Sequence, residues 1–600
     1  MILNRQNVTV VALMAAGMLA FNSCSLKQMV KMAKDQELTV TPSPLEVHGD
    51  SVAFDISATL PVKMLKKNKI YSVASFYKIG DEKIELGSFD FVSTEFPDAK
   101  TATPKITKHQ SYAYKQEIGN GDLVVIGSAS NLDKTKVKST EEMPIAKGLI
   151  TTSRLVKSYS YVAYADHGYN NKEELVPATV NFYFEQGKSV LRKSEMKGQN
   201  AKFLDAFITA KNVTRTISVI GQHSPEGTET KNANLANERS AVIEKYVKGR
   251  MKFYKQDSII NTIQFVAKGD IKDFEPMKAA IEKDAKLSPE QKSEILNIIN
   301  GSGDFTAKQD QIAKLPYYNK LVLAHLYPSL RTARTEIWTV KPKKSDAEIT
   351  LLAGQITSGK VSVDTLNAEE LAYAGTLTPI LSEKVAIYEA LIKKTDSWVA
   401  YNNLGAVYVE MAKVEVDQNK KTDLVNKAIN TLEMSLKKQE SGEAHVNLAS
   451  AYMLSGVRES SRDQANKAVA SNATDAVKKG ANGILGTLDV KDGKYDIALQ
   501  DLSKSNDSLE VKFNSALASL LKRDFNTAKA GFANYTAAAP KDASGFYLAA
   551  VTAARQKDEA SLTTNLQKAK ALSSKWGERA VSDMEFYDYW NSDNFKNALK

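Results

Sequence analysis

Residues 217–247, ISVIGQHSPEGTETKNANLANERSAVIEKYV, constrain the fold of this chain more than any other stretch. An apolar, alternating run at its start predicts a β-strand, and two glycines, Gly221 and Gly227, bracket a turn that contains a proline. The apolar periodicity that follows predicts a helix. Arg239 lies on the inward face of that helix, four residues after a leucine and three before a valine. We therefore expect a strand, a glycine-bounded turn and a helix that carries a buried arginine.

Several residues of this stretch stand at the offsets of a known signature: Gly221, Gly227, Asn232, Leu235 and Arg239. They resemble the peptidoglycan-binding signature of OmpA-like C-terminal domains. A second match lies far along the chain, where Leu326-Tyr327-Pro328-Ser329-Leu330-Arg331 resembles a segment of the inserted subdomain in the Ser-Pro-Glu-Gly variants of that family. The resemblance implies a domain of the peptidoglycan-binding type.

The resemblance also implies roles for individual residues. In the family, the aspartate of a Gly-His-Thr-Asp turn binds the ammonium of diaminopimelate in the wall stem peptide, and the arginine of the next helix binds its carboxylate. Arg239 matches the arginine, but Ser224 stands at the position of the aspartate. Glu226, in the same turn, either supplies the missing charge or is solvated, and Asn232 caps or braces the turn. For Arg239, pairing with an internal acid is the structural alternative to ligand binding.

The first residues predict export from the cytoplasm. Arg5 precedes an apolar run over 8–21 that is too short for a comfortable membrane span, and small residues lead to Cys24, the single cysteine. This end resembles a lipoprotein signal, which implies a signal peptide over 1–23, cleavage before Cys24 and acylation of Cys24 by fatty acids such as palmitate. An ordinary secretory signal with an incidental cysteine is the alternative. In lipoproteins of this kind, an acidic stretch after the cysteine often directs display on the cell surface. The residues after Cys24 are not acidic, so the resemblance implies an outer-membrane lipid anchor that faces the periplasm.

After a lipidated polar tether over 24–36, the pattern over 37–170 predicts a β-sandwich, which we expect to be immunoglobulin-like. Strict alternation over 52–60 gives one buried and one wet face, and clusters of turn residues separate the other strand candidates. These candidates are Ile70–Ile79, Ile84–Val92, Ile106–Ile118, Leu123–Ile126 and Tyr159–Ala165.

The OmpA-like domain is predicted to span 176–342, with a β-α-β-α-β order and a delayed final strand at Thr335–Val340. A helical insertion over about 270–330 separates the last two strands. Within it, Ser288-Pro289-Glu290 has the pattern of a helix start, with serine as the N-cap and proline in the first position.

Residues 346–600 are helical in pattern, alanine-rich and repetitive. Leu404-Gly405-x-x-Tyr408 and Leu448-Ala449-x-x-Tyr452 resemble the first helix of a tetratricopeptide (TPR) unit, whose period is about 34 residues. A polar insertion, Val414–Thr422, stretches one unit, and an aromatic cap is expected near Phe586–Trp590. The resemblance implies a solenoid of about five or six units that binds proteins or peptides on a concave face. A helical array of another type is the alternative.

Composition and motifs argue against nucleic-acid binding and catalysis. The net charge is +10, but lysines and acidic residues alternate along most of the chain, so we expect no nucleic-acid partner. The six histidines are scattered without zinc spacing, and His223 is interpreted as structural. Since the sequence has neither a Gly-x-Ser-x-Gly elbow nor a Walker loop, we expect no enzyme activity, cofactor or metal.

The sequence thus predicts a multidomain α+β protein: an N-terminal β-sandwich, a central OmpA-like domain with a helical insertion, and a C-terminal TPR α-solenoid. We expect the protein to be a scaffold: a periplasm-facing outer-membrane lipoprotein of a Gram-negative bacterium. It would tether to peptidoglycan and recruit an envelope protein through the TPR solenoid, as part of an assembly or secretion machine. One alternative is a degenerate OmpA-like domain that serves only protein–protein assembly. Another is a surface-displayed adhesin or glycan-capture lipoprotein.

Overall fold

The structure is a computed structural model that describes residues 25–116, 119, 121–170, 172–226, 229–269 and 274–600. The chain forms two compact units, one made of Met1–Tyr169 with Asp346–Lys600 and the other of Asn170–Ser345. The predicted signal peptide and Cys24 lie outside the described residues, so both stay predictions. Within the described ranges, no helix is long and apolar enough to cross a membrane.

The first unit opens with one helix and two sheets. The helix is α1 (Ser25–Met32), and the strands are β1 (Glu37–Thr41), β2 (Val47–His48), β3 (Ser51–Thr59), β4 (Lys69–Ile79), β5 (Glu82–Val92), β6 (Lys105–Ala113), β7 (Asp122–Asn131), β8 (Val137–Ser139) and β9 (Met143–Lys147). One sheet has the order β1-β3-β2 with β6 also on β3, and the other has the order β5-β4-β7-β8 with β9 also on β7. Side chains of both sheets, such as Phe54 and Val73, share one core, as the alternation predicts.

The structure corrects two predictions for this region. Residues 25–36 are not a polar tether, because α1 buries Leu26 and Met29 in the sandwich core. These residues and Ala33 recur at helical spacing and form one apolar face. The segment Tyr159–Ala165 is extended, but it is not a strand of the sandwich and lies instead against the C-terminal helices.

The second unit is a four-stranded sheet covered by helices. Its elements are β10 (Leu175–Tyr183), α2 (Lys193–Lys197), α3 (Gln199–Thr209), β11 (Thr214–Gly221), α4 (Glu229–Phe253), α5 (Asp257–Ile260), β12 (Gln264–Gly269), α6 (Glu275–Lys283), α7 (Pro289–Asn300), α8 (Phe305–Ala313) and β13 (Thr332–Val340). The strand order is β10-β13-β11-β12. Strands β11 and β12 are parallel, and β13 is antiparallel to both of its neighbours. The delayed final strand of the predicted β-α-β-α-β order therefore lies inside the sheet.

The helical insertion between β12 and β13 has a core of its own, formed by α6, α7, α8 and a π-helical segment, Tyr318–Leu326. The predicted helix start is confirmed. The Ser288 side chain accepts the Gln291 N–H, and the Gln291 side chain accepts the Ser288 N–H, which makes a capping box. The insertion is thus a folded subdomain rather than a long loop.

The rest of the first unit is helical. Its helices are α9 (Asp346–Thr357), α10 (Ala368–Ala374), α11 (Leu381–Thr395), α12 (Trp398–Val414), α13 (Gln418–Lys438), α14 (Gly442–Ser455), α15 (Arg458–Ala470), α16 (Asp475–Lys491), α17 (Tyr495–Ser503), α18 (Leu509–Leu521), α19 (Phe525–Ala538), α20 (Ala543–Arg555), α21 (Glu559–Leu572), α22 (Ser574–Ala580) and α23 (Asp593–Ala598). From α12 to α21 they pack as five consecutive helix pairs, and the first helices of successive pairs contact one another.

The helix pairs have the predicted period. The starts of α14, α16, α18 and α20 follow one another at 33 or 34 residues, whereas α12 begins 44 residues before α14 because the first pair contains the long helix α13. Small residues allow the close approach within a pair: a Cβ on Gly405 would lie 2.5 Å from a carbon of Leu432. The predicted aromatic cap is present, since Phe586 is buried against Tyr547 and Phe595.

The sandwich and the helices of the first unit meet through two glycines with positive φ. Gly49, in the turn between β2 and β3, has a φ of +61°, and Gly493, between α16 and α17, has a φ of +77°. A Cβ on Gly493 would lie 3.3 Å from the Gly49 nitrogen. The two turns therefore pack backbone against backbone, a contact and a conformation that suit glycine.

Candidate functional site

Two places in the described residues are candidates for binding, one in each unit. The first is the predicted ligand site at the carboxyl end of β11, in the second unit. The second is the face formed by the first helices of the repeats, in the first unit, which we call the first-helix face. No group of three or more potential metal ligands occurs in the part of the chain that the structure describes.

The Arg239 guanidinium binds three backbone carbonyl groups. The residue is 1% exposed. Its Nε donates to the Lys188 carbonyl at 3.1 Å, its Nη1 to the Gln222 carbonyl at 2.7 Å, and its Nη2 to the Glu185 carbonyl at 3.2 Å. Burial and the nearby charge of Arg331 lower the pKa of Arg239 to about 10. The predicted inward position is confirmed, but the guanidinium joins two loops to α4 instead of pairing with an internal acid.

Glu226 forms an ion pair with Arg331, at the end of the segment that resembles the family's inserted subdomain. Its Oε1 accepts a hydrogen bond from Nε of Arg331 at 2.9 Å and lies 2.7 Å from Nη2 of the same guanidinium. Both side chains are largely buried, with 9% of Arg331 and 16% of Glu226 exposed. Glu226 is therefore not a solvated residue, and an arginine from the same chain already binds one of its oxygens.

The other oxygen of this carboxylate differs from the first. Glu226 Oε2 is buried and has no hydrogen-bond partner among the described residues. Ser224 is also buried, and its Oγ accepts a 3.2 Å hydrogen bond from Nε of Arg331. The turn thus brings Ser224, Glu226 and Arg331 together, and Arg239 binds the carbonyl of the adjacent Gln222.

Asn232 and His223 stand beside this group. Asn232 is buried in the first turn of α4, so it is a residue of the helix and not its N-cap. The Nδ1 atom of His223 lies 2.9 Å from the Ser224 carbonyl oxygen, and its ring meets Phe305 of the helical insertion edge-on at 5.9 Å. These contacts agree with a structural role for His223. Sequence reasoning did not place Arg331 in the site, although the segment that ends with it carried the second family match.

In the first unit, residues 151–169 leave the sandwich and run along the first-helix face; we call this segment the strap. Asparagines of three helices each bind both backbone groups of one strap residue. Asn514 accepts the Lys157 N–H at 2.9 Å and donates to its carbonyl at 2.8 Å. Asn447 does the same to Ala163 at 2.8 and 2.7 Å, and Asn403 binds Ala165 at 2.7 and 3.2 Å.

A serine provides a fourth such clamp. Ser450 Oγ accepts the Tyr161 N–H at 2.9 Å and donates to the Tyr161 carbonyl at 2.6 Å. All four clamped residues have odd numbers, because alternate residues of an extended chain present their backbone groups to the same side. The helices therefore bind the strap as a neighbouring strand would, with side chains in place of a strand backbone.

Glycines accommodate the aromatic side chains of the strap. The rings of Tyr159 and Tyr161 lie against α16 at Gly483 and Gly480, where a Cβ would stand 2.4 and 2.2 Å from ring atoms. The Tyr159 hydroxyl accepts from Nδ2 of Asn506 at 2.6 Å. Side-chain packing thus adds to the backbone clamps a contact that depends on which residues the strap carries.

The sequence did contain a signal for these clamps. Asn403, Asn447 and Asn514 are each the sixth residue of a first helix, in α12, α14 and α18. Two of them directly precede the Leu-Gly and Leu-Ala pairs that mark the TPR-like helices. A polar amide at one fixed position on buried helix faces indicates a row of hydrogen-bonding groups, and this periodicity could have been read beside the apolar one.

No protein-family profile matches the chain, and no curated protein matches it. Among solved structures, it is similar to YrrB, described as a TPR protein with an unusual peptide-binding site, at 19% identity and a TM-score of 0.26, over 31% of this chain and 92% of that one. It is similar to a tetratricopeptide repeat protein from Parabacteroides merdae at 17% identity and a TM-score of 0.27, over 39% and 97% of the two chains. A third similarity is to the C-terminal part of a TPR repeat-containing protein from Cytophaga hutchinsonii, at 18% identity and a TM-score of 0.28, over 38% and 91%. The helical-repeat architecture described above rests on this chain's own helix pairs.

Proposed function

We propose that this chain is a non-catalytic scaffold of a bacterial envelope complex, anchored in the outer membrane through acylated Cys24 and facing the periplasm. Its binding partners are other proteins. The observation that carries this proposal is the row of backbone clamps at Asn403, Asn447 and Asn514. Side chains that bind both the N–H and the C=O of one residue suit an extended polypeptide, and in this chain that polypeptide is the strap.

The strap limits where an external protein binds. Residues 157–165 cover the first-helix face from α18 to α12, which is the face that TPR resemblance assigns to a partner. We therefore propose that the first-helix face holds the sandwich and the repeats together through the strap. The external partner then binds the second helices of the pairs, such as α19 and α21, which the strap leaves uncovered.

Site-specific photo-crosslinking in cells tests this proposal. A photoreactive amino acid replaces Thr536 on α19 or Lys568 on α21, and Leu132, an exposed residue of the sandwich, is the control position. We expect a crosslinked species of one defined mass from the α19 or α21 position and none from the control. If positions along all the second helices give no crosslinked protein, the scaffold proposal is wrong.

Binding to the peptidoglycan stem peptide is the second candidate function, and Glu226 is the observation that favours it. Its buried Oε2, without a hydrogen-bond partner among the described residues, lies in the same turn as Ser224. A ligand ammonium could donate to these two oxygens, which would replace the aspartate that the family uses. Against this function, the Arg239 guanidinium already binds three carbonyl groups and is 1% exposed.

Co-sedimentation with purified sacculi separates the two functions. Wall binding predicts that the wild type sediments, that Glu226→Gln does not, and that the exposed Glu238→Gln on α4 still does. Circular dichroism of each variant establishes that it is folded. If the folded wild type stays in the supernatant, wall binding is excluded and the assembly scaffold remains.

The location is tested separately, because a surface-displayed adhesin is the competing proposal. We expect protease added to intact cells to leave the chain uncut until the outer membrane is permeabilised. Cleavage in intact cells would contradict the periplasmic orientation and favour surface display.

A further inference from the structure

A cavity of about 180 Å³ in the first unit is lined mainly by cationic groups. Its walls are formed by Ser153, Arg154 and Val156 at the start of the strap, by Arg458 at the start of α15, and by Lys491 at the end of α16. Three segments far apart in the sequence therefore each bring one positive charge to the same space. The cavity is separate from the clamps and from the Glu226 site.

The acidic groups around the cavity are already shared among arginines. Asp50 binds Arg154 at 2.8 Å and Arg458 at 2.6 and 3.1 Å. Asp492 lies 2.8 Å from Arg462 and 3.4 Å from Arg458. One carboxylate thus serves two of the three lining cations, and the other is held more closely by an arginine outside the cavity.

Lys491 is the lining cation that forms no ion pair with these carboxylates, although the charge of Asp492 acts on it from further away. Among the described residues, no acidic group lies within ion-pair distance of its ammonium, whose hydrogen-bond contact is with Sδ of Met453 at 3.7 Å. Burial and the charges of Arg458 and Arg154 lower the pKa of Lys491. A partly buried ammonium beside two guanidinium groups is costly unless a negative charge enters the same space.

The dipoles of α15 and α16 offset only part of the positive charge in the cavity. A lysine in the last turn of α16 interacts favourably with the negative end of that helix. However, α15 begins at Arg458 without a side-chain N-cap, so the positive end of its dipole lies where Arg458 enters the cavity wall. The helix ends therefore do not remove the excess of positive charge.

We propose that this cavity is a binding site for a small oxyanion of the phosphate or sulfate class. Such an ion offers acceptor oxygens in several directions, which suits one ammonium and two guanidinium groups that come from three elements. The bound ion would join the start of the strap to α15 and α16. This site is independent of the proposed partner and wall-binding functions.

Equilibrium dialysis of the purified full chain with radiolabelled inorganic phosphate tests the proposal, at an ionic strength held constant with sodium chloride. We expect one saturable site in the wild type. Lys491→Met removes the ammonium and no ion pair, and we expect it to bind phosphate about tenfold more weakly or worse. Lys479→Met is the matched control, because Lys479 is exposed on the same helix, and it should bind like the wild type.

Competition with sulfate and with acetate then identifies the ion class. Displacement by sulfate but not by acetate supports a tetrahedral dianion, whereas preferential displacement by acetate would overturn that assignment. The proposal as a whole is wrong if the wild type shows no saturable uptake, or if Lys491→Met binds phosphate as tightly as the wild type does.

If Lys491→Met does not fold, the site can be tested on the wild type by chemical modification of its lysines. Amine acylation of the wild type, read by peptide mass spectrometry, reports the accessibility of each lysine. We expect phosphate to slow the modification of Lys491 at least severalfold and to leave Lys479 unchanged. Equal modification of Lys491 in phosphate and in chloride would contradict the site.

Discussion

The side-chain amide of Asn447 binds both backbone groups of Ala163, accepting its N–H at 2.8 Å and donating to its carbonyl at 2.7 Å, although the two residues are 284 positions apart. Asn447→Ala leaves the buried Ala163 N–H without its acceptor, whereas the Ala163 carbonyl keeps a 3.1 Å hydrogen bond from Nδ2 of Asn402. Loss of one buried partner costs about 1–3 kcal/mol, and we expect the free energy of unfolding to fall by this amount in denaturant titrations. Asn419→Ala, on an exposed face of α13, is the control and should change it little. An unchanged midpoint for Asn447→Ala would show that the strap does not stabilise the unit.

Gly480→Ala should loosen the strap. The added Cβ would lie 2.2 Å from the Tyr161 ring, and relieving such an overlap costs about 1–3 kcal/mol. We expect faster hydrogen exchange of the amides of 157–165. Gly354→Ala in α9 is the matched control, because a Cβ there meets nothing within 4 Å. That change should instead stabilise the helix by about 0.5–1 kcal/mol. Equal exchange in both variants would rule out a steric role for Gly480.

Breaking the Glu226–Arg331 pair should destabilise the second unit. Removal of one partner from a buried ion pair costs about 3–5 kcal/mol, because the other charge stays buried. We expect Glu226→Gln to lower the unfolding free energy by about this amount. The double variant Glu226→Gln with Arg331→Met should recover part of the loss in thermal unfolding. If the free-energy changes of Glu226→Gln and of Arg331→Met simply add up in the double variant, the pairing is contradicted.

Stability of the first unit should fall in acid through Glu46. Burial alone would raise the pKa of Glu46, but His48, Arg555 and Arg523 lower it from 4.5 to about 2. Because the pKa is lower in the folded state, the stabilisation is complete above pH 4.5 and is lost as the pH falls towards 2. The shift corresponds to about 3 kcal/mol. We expect Glu46→Gln to show a smaller loss of unfolding free energy than the wild type between pH 6 and pH 3. If the unfolding free energies of the variant and the wild type fall in parallel with pH, Glu46 is not the cause of the acid sensitivity.

Much of the architecture follows from local sequence patterns. Alternation predicts the strands of the sandwich, the spacing of small and aromatic residues predicts the helix pairs, and Ser288 predicts the start of α7. The inward position of Arg239 follows from helical periodicity as well. Each of these features depends on residues within a few turns of one another, so a linear pattern contains the necessary information.

The partners of these groups could not be predicted in the same way. Tyr159–Ala165 alternates like any strand, and alternation does not tell whether its backbone will meet another strand or the amides of a helix. Arg239 binds carbonyl groups near Glu185 and Gln222, which only the folded loops bring together. The partners of Glu226 and of the strap are therefore known only from the three-dimensional structure.

The strap has a consequence for the order in which this protein folds. Thr152, at its start, donates a hydrogen bond to Glu585, which is 433 residues further along the chain. During synthesis, the strap therefore emerges long before the helices that bind it. We expect the first unit to close only after its last helices have been synthesised, whereas Asn170–Ser345 has all its sheet partners as soon as it emerges. In a chain that stops before the final repeat, the strap would stay partly unbound. The presence of the last helices therefore distinguishes a finished first unit from a truncated one.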